Sequence, residues 1–162
     1  MSTVTEHLEQ RGSVFELIPH QQTYTSIDEA RALGIDAGDV LKTVAVRTRS
    51  GYALMVVPAS RRLDLHLVRE AVGDNRARLA TEDELCRDFA GYELGALPPL
   101  GTLLGAAVYV DPEALGHDTV AFAAGSQTES VKIRTGELFE PEQATTAPLV
   151  RRAERGSEDP LE

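Results

Sequence analysis

Apolar residues recur along this chain in two rhythms that change from segment to segment. Helical spacing covers about Val4 to Arg11 and stops at Gly12. "SVFELI" (Ser13–Ile18) reads as a strand. Ser26 and Glu29 have the spacing of a capping box, which predicts a helix to Leu33 closed by Gly34. "GDVLKTVAVRT" (Gly38–Thr48) and "YALMVV" (Tyr52–Val57) flank "RSG" and predict a β-hairpin. In "DLHLVREAVG", Leu65, Val68 and Val72 share a helical face that ends at Gly73. A short strand at "ARLA" precedes a second capping box, Thr81 with Glu84, and a helix carrying Leu85 and Phe89. "GYELGALPPLG" (Gly91–Gly101) has no period, and Pro98 and Pro99 lack an N–H and fix φ, so it predicts a shaped loop. The strands "AAVYV", "TVAFAA" and "SVKIR" follow, and then a helical turn at "TGELFE".

Strands and helices intermingle without a regular βαβ rhythm, which predicts an α+β domain built on a mixed sheet. With 162 residues the chain has room for one such domain, expected over residues 1–144. The polar, aperiodic residues 145–162 are expected to form a flexible C-terminal tail. Cys86 is alone, so no intramolecular disulfide can form. The polar N-terminus and the lack of a bilayer-length apolar run predict a cytoplasmic protein with no membrane partner. A net charge of −10 opposes binding to DNA or to a broad duplex face. Even so, Arg47, Arg49, Arg61, Arg62, Arg69, Arg76 and Arg78 lie close together in the chain. They form either a solvated mixed-charge surface or a local basic patch that touches one end of an RNA.

The chain has two lysines, Lys42 and Lys132, against 14 arginines. In an alternating strand Val40, Lys42, Val44 and Val46 share one face, and Thr43, Arg47 and Arg49 share the other. The arginines mark the wetter face, so Lys42 is expected to point toward the core or a pocket. It either snorkels to solvent or presents a compact charge that polarises a carbonyl or holds a phosphate or ribose oxygen. Lys132 shares its face with Arg134 and reads as solvated. His7, His20, His66 and His117 lack metal-ligand spacing, so no metal is expected. Cys86 reads as incidental, and no GxSxG, P-loop or GxGxxG motif occurs.

"DVLKTVAV", "VVPASRRLDLHLVREAVG", "GYELGALPPLG" and "AFAAGSQTESVKIRTGEL", in that order, resemble the YbaK/EbsC family, that of the prolyl-tRNA synthetase-associated editing domain. The likeness runs from about Ser13 to Glu140. It implies a single compact α+β domain whose central mixed, curled sheet is flanked by helices. It also implies a metal-independent, cofactor-free deacylase that hydrolyses the ester of a mischarged aminoacyl-tRNA acting in trans. The implied substrates carry a small amino acid such as Cys, Ala, Ser or Thr, with tRNA(Pro) as the candidate carrier. The expected partners are the acceptor end of that tRNA and an aminoacyl-tRNA synthetase. By the same resemblance Lys42, Gly95 and Pro99 are the catalytic positions, and Thr43, Gly101, Gly125 and Ser126 contact substrate. The loop departs from many members by carrying Ala96 and Pro98 in the places of a second glycine and a small residue. Two other readings remain: a non-catalytic module that binds an aminoacyl-tRNA 3′ end, a nucleotide-like ligand or a protein partner, and a hydrolase of some other small ester.

Overall fold

Two β-sheets share one core in the computed structural model, which describes residues 3–151. In chain order the elements are α1 (Thr3–Gln10), β1 (Phe15–Pro19), α2 (Ser26–Leu33), β2 (Leu41–Thr48), β3 (Gly51–Pro58), α3 (Leu65–Val72) and β4 (Arg78–Leu79). They continue as α4 (Glu82–Asp88), α5 (Gly101–Leu104), β5 (Ala107–Val110), β6 (Thr119–Ser126), β7 (Glu129–Arg134), α6 (Thr135–Glu142) and β8 (Thr145–Thr146). One sheet has the order β1-β7-β6 and is antiparallel. The other has the order β4-β2-β3-β5-β8, in which β3–β5 and β5–β8 are parallel. A parallel bridge between Val40 and Ala121 ties the two together. This is the expected α+β fold, with the mixed sheet divided in two and helices around it.

Burial explains why β3 is an unbroken apolar run. Leu54 and Val56 enter the larger core with Leu41, Phe122 and Val131, while Met55 and Val57 enter a smaller one with Val46, Val68 and Leu149. A strand covered on both faces has no polar side to display. The face of β2 expected to be dry is dry, with Val46 in the smaller core, but most of the face expected to be wet is buried as well. Leu41 and Ala45, which share a face with Thr43, belong to the larger core. Arg47, at the far end of that face, reaches past the core and covers the Tyr52 ring at 4.8 Å.

Local signals set most boundaries. The Thr81–Glu84 capping box forms reciprocally, with hydrogen bonds of 3.1 and 2.9 Å. At α2 the cap is Thr25 rather than Ser26: its hydroxyl accepts from the Asp28 N–H at 3.1 Å. Glu29 is thereby free of any capping duty, and it is buried.

The expected tail boundary is also corrected. The backbone N–H groups of Leu149 and Val150 donate to the buried Asp111 carboxylate at 2.7 and 3.2 Å, and both side chains are fully buried. Asp111 satisfies two donors that would otherwise be orphaned in the interior, and so ties residues 145–151 into the domain. The rest of the expected tail, residues 152–162, lies outside the described residues. No helix among the described residues is long and apolar enough to cross a membrane.

Candidate active site

The start of β2, the N-terminal turn of α2 and the Gly91–Gly101 loop enclose a cavity of about 210 Å³. Lys42, Thr43, Glu29, Thr25, Gly95 and Leu97 are among its walls. A second cavity of about 190 Å³ adjoins it through the shared Thr43, Val44, Gly95 and Leu97, and is otherwise mostly apolar, with Leu85, Phe89 and Tyr92. A polar chamber and an apolar chamber therefore meet at Thr43 and Gly95.

Each polar wall has a defined physical state. Burial pushes the Glu29 carboxyl up to about 7, and the hydrogen bond from Ser130 offsets this only in part. Burial also lowers the Lys42 ammonium, and the charge of Arg62 lowers it further. Both shifts favour the neutral forms, the environment in which acid–base groups titrate nearer to neutrality. The Thr43 hydroxyl is the buried side-chain polar atom that has no hydrogen-bond partner among the described residues. An unpaired hydroxyl in a cavity wall has a donor and acceptor capacity that a ligand can take up.

The loop is held by backbone geometry. Gly95 has φ +78°, and a Cβ there would lie 2.6 Å from the Tyr24 carbonyl oxygen. Such an approach is open only to glycine. Gln127 fastens the loop from the β6–β7 turn: its side chain donates to the Leu94 carbonyl at 2.9 Å, and its backbone N–H donates to the Glu93 carboxylate at 2.6 Å.

Of the expected positions, Lys42, Thr43 and Gly95 meet at these cavities and the others do not line them. Pro99 is buried within the loop. Gly101 opens α5 and packs so closely that a Cβ would lie 2.4 Å from the Ala106 carbonyl oxygen. Gly125 supports the loop: its N–H donates to the Ala96 carbonyl and its carbonyl accepts from the Glu93 N–H, both at 3.0 Å. Ser126 is taken up with Thr128, hydroxyl to hydroxyl at 2.9 Å. Lys132 is exposed, as expected.

Residues 20–140 match the family model of the aminoacyl-tRNA editing domain, and this stretch contains every residue of both cavities. The chain belongs to that family. It is 31% identical over 136 residues to the proline–tRNA ligase of Xanthomonas axonopodis pv. citri (strain 306), covering 83% of this chain and 24% of the ligase. Matched proline–tRNA ligases are spanned over only 13% to 24% of their length. It is 22% identical over 142 residues to the uncharacterized protein YwhH of Bacillus subtilis (strain 168), covering 86% of this chain and 89% of that one. A crystal structure of a candidate trans-editing enzyme for prolyl tRNA synthetase superposes with a TM-score of 0.81 at 26% identity, over 94% of this chain and 99% of that one.

Within this editing domain, sequence reasoning missed Glu29, Ser130, His20 and Gln127. The available signal was a glutamate beside Ala30 on the inward side of an amphipathic helix, which the capping-box spacing obscured. Among the described residues no group of three or more His, Cys, Asp or Glu side chains gathers as a metal site.

Proposed function

We propose that this protein is a trans-acting editing deacylase that hydrolyses the ester linking a small amino acid, such as Cys, Ala, Ser or Thr, to a mischarged tRNA. The observation that carries this reading is the meeting of Lys42, the unpartnered Thr43 hydroxyl and the Gly95 backbone on one small cavity of an editing domain. An aminoacyl ester is already activated, so its hydrolysis demands positioning and charge stabilisation more than a strong nucleophile. Lys42 holds the ester carbonyl or the terminal ribose, and its ammonium stabilises the oxyanion as water attacks. The terminal ribose hydroxyl assists that water. The Gly95 backbone and Thr43 orient the aminoacyl group. The small volume of the chamber favours small side chains over larger ones, a sieve suited to differences of a few atoms.

The departures at Ala96 and Pro98 leave this chemistry room. Both are buried and neither lines either chamber; of the loop side chains Leu97 lines both, and Tyr92, Glu93 and Leu94 line the apolar one. This weighs against the non-catalytic reading, whose other support is the net charge of −10. The tRNA acceptor end, a synthetase partner and a cytoplasmic location complete the proposal.

A panel of tRNAs charged with Cys, Ala, Ser, Thr or Pro tests it. Hydrolysis of at least one ester above the buffer rate, lost in Lys42→Ala, is expected. No hydrolysis of any of them overturns the reading, and full activity in Lys42→Ala overturns the role of that lysine.

A further inference from the structure

One polar chain in the interior has no part in that scheme. The Ser130 hydroxyl lies 2.6 Å from Glu29 Oε2 and 2.8 Å from His20 Nε2, and His20 Nδ1 lies 2.7 Å from the Gln21 carbonyl oxygen. Ser130 is fully buried and Glu29 is 2% exposed, yet Glu29 lines the cavity that holds Lys42. His20 is only half-buried, so the chain runs from the protein surface to the cavity wall.

A carbonyl oxygen only accepts, so Nδ1 of His20 carries a hydrogen in every arrangement. Two patterns then satisfy all three contacts. In the first, Glu29 is ionised and accepts from Ser130, whose oxygen accepts from the Nε2–H of an imidazolium. In the second, Glu29 is protonated and donates to the Ser130 oxygen, whose hydroxyl donates to Nε2 of a neutral imidazole. The two patterns hold the same number of protons. Passing between them moves one proton from His20 to Ser130 while Ser130 gives its own to Glu29.

We propose that His20, Ser130 and Glu29 form a proton relay between solvent and the cavity, and that Glu29 is the general base of ester hydrolysis. The base role rests on the deacylase reading above. As the water oxygen bonds to the ester carbonyl carbon, one water proton passes to the Glu29 carboxylate. The tetrahedral oxyanion then collapses, its carbon–oxygen bond to the ribose breaks, and the ribose oxygen takes the proton back from Glu29. The products are the free amino acid and the ribose hydroxyl. Ser130 and His20 are positioning residues that set which of the two patterns the base occupies.

The other charged groups around Glu29 do not duplicate this. Lys42 of β2 stands in the same cavity and feels the like charge of Arg62. Asp28 and Arg31 of α2 pair with each other at 3.7 Å on the exposed side. Lys132, two positions along β7 from Ser130, is exposed.

Two measurements decide the matter. Carbon-13 and nitrogen-15 NMR titrations of the substrate-free protein follow the Glu29 carboxyl and the His20 ring. Coupled titration in the wild type that separates in Ser130→Ala is expected; independent titration in the wild type overturns the relay. Single-turnover deacylation of the preferred mischarged tRNA is then followed against pH for wild type, Glu29→Gln, Ser130→Ala and His20→Ala. Glu29→Gln is expected to lose roughly 100-fold or more while staying folded at every pH of the assay. Ser130→Ala and His20→Ala should keep part of the rate and move the midpoint of the pH profile. A Glu29→Gln variant with wild-type rate and pH profile overturns the base role and leaves the deacylase reading intact. A wild type inactive on every ester removes that reading and the base role together, while the titration still decides the relay.

Discussion

Gly95 lies directly against the backbone of Tyr24: a methyl group added at position 95 would sit 2.6 Å from the Tyr24 carbonyl oxygen. The loop therefore approaches the segment before α2 with only a glycine's clearance, and this contact closes one side of the cavity. Gly95→Ala must shift the loop, and a displacement of about 1 Å at a catalytic site can cost roughly 100-fold in rate. That loss in kcat/KM is expected on a mischarged tRNA. Gly105→Ala is the control. Gly105 also has a positive φ, +71°, but nothing lies within 4 Å of its missing Cβ. It should lose about 1 kcal/mol of stability from backbone strain with little change in kcat/KM.

Thr43 gives a prediction in which stability and function move in opposite directions. Its hydroxyl is buried without a partner. Thr43→Val keeps the branched shape, fits a β-strand and removes an unsatisfied polar group. The substrate-free protein should gain about 1 kcal/mol, or roughly 2–4 °C in thermal midpoint. The KM for aminoacyl-tRNA should rise if the hydroxyl is completed by the substrate. Unchanged stability with unchanged KM would mean that the hydroxyl is neither strained nor used.

How much of this site was legible in the sequence depends on the distance over which each contact is made. Lys42 stood out because a strand's alternation is local and a single charge in an apolar run breaks it. The loop could be read from Gly95, Pro98 and Pro99 because backbone freedom and its restriction are properties of single residues. Glu29 was misread as part of a capping box because Ser26 has the right spacing, whereas Thr25 holds the cap. Nothing local marks its actual partner, Ser130, which is 101 residues away. The C-terminal segment was misread for a similar reason. Leu149 and Val150 belong to a short apolar stretch with no period, and their docking depends on Asp111, 38 residues before Leu149. Gly101 fell inside a recognisable loop, but its Cβ space is filled by Ala106 and Val108, which makes it a packing glycine.

Arg11 and Glu142 hold the two ends of the domain together. The Arg11 guanidinium lies 2.6 Å from the Glu142 carboxylate and also donates to the Glu137 and Leu138 carbonyls at 2.9 and 3.1 Å. The Glu142 side chain is completely buried and accepts from the Thr102 N–H and hydroxyl as well. Arg11→Ala leaves the buried carboxylate with only the His7 ring, 3.8 Å away, as a basic neighbour, and should cost about 3–5 kcal/mol by denaturant unfolding. Removing the stranded charge as well, in Arg11→Met with Glu142→Gln, should recover much of that loss. If the double variant is no more stable than Arg11→Ala, the cost lies in lost packing instead.

The buried Glu29 gives the fold an unusual pH dependence. Its carboxyl moves from the ordinary 4.5 to about 7 because burial disfavours the charged form. Between these values the folded chain holds a proton that the unfolded chain has released, so this group's contribution weakens as pH rises. The contribution is complete below about pH 4.5, fades through pH 7, and amounts to roughly 3 kcal/mol across the window. Other carboxylates act in the opposite direction: the Arg78 guanidinium holds Glu84 down to about 2, which favours the fold as acid is removed. The comparison is therefore a difference between wild type and Glu29→Gln, measured by denaturant unfolding from pH 4.5 to 8. Glutamine cannot ionise, so the variant should gain on the wild type steadily with rising pH and be the more stable of the two at pH 8. A constant difference across the range would mean that Glu29 ionises in the folded protein as readily as in the unfolded chain.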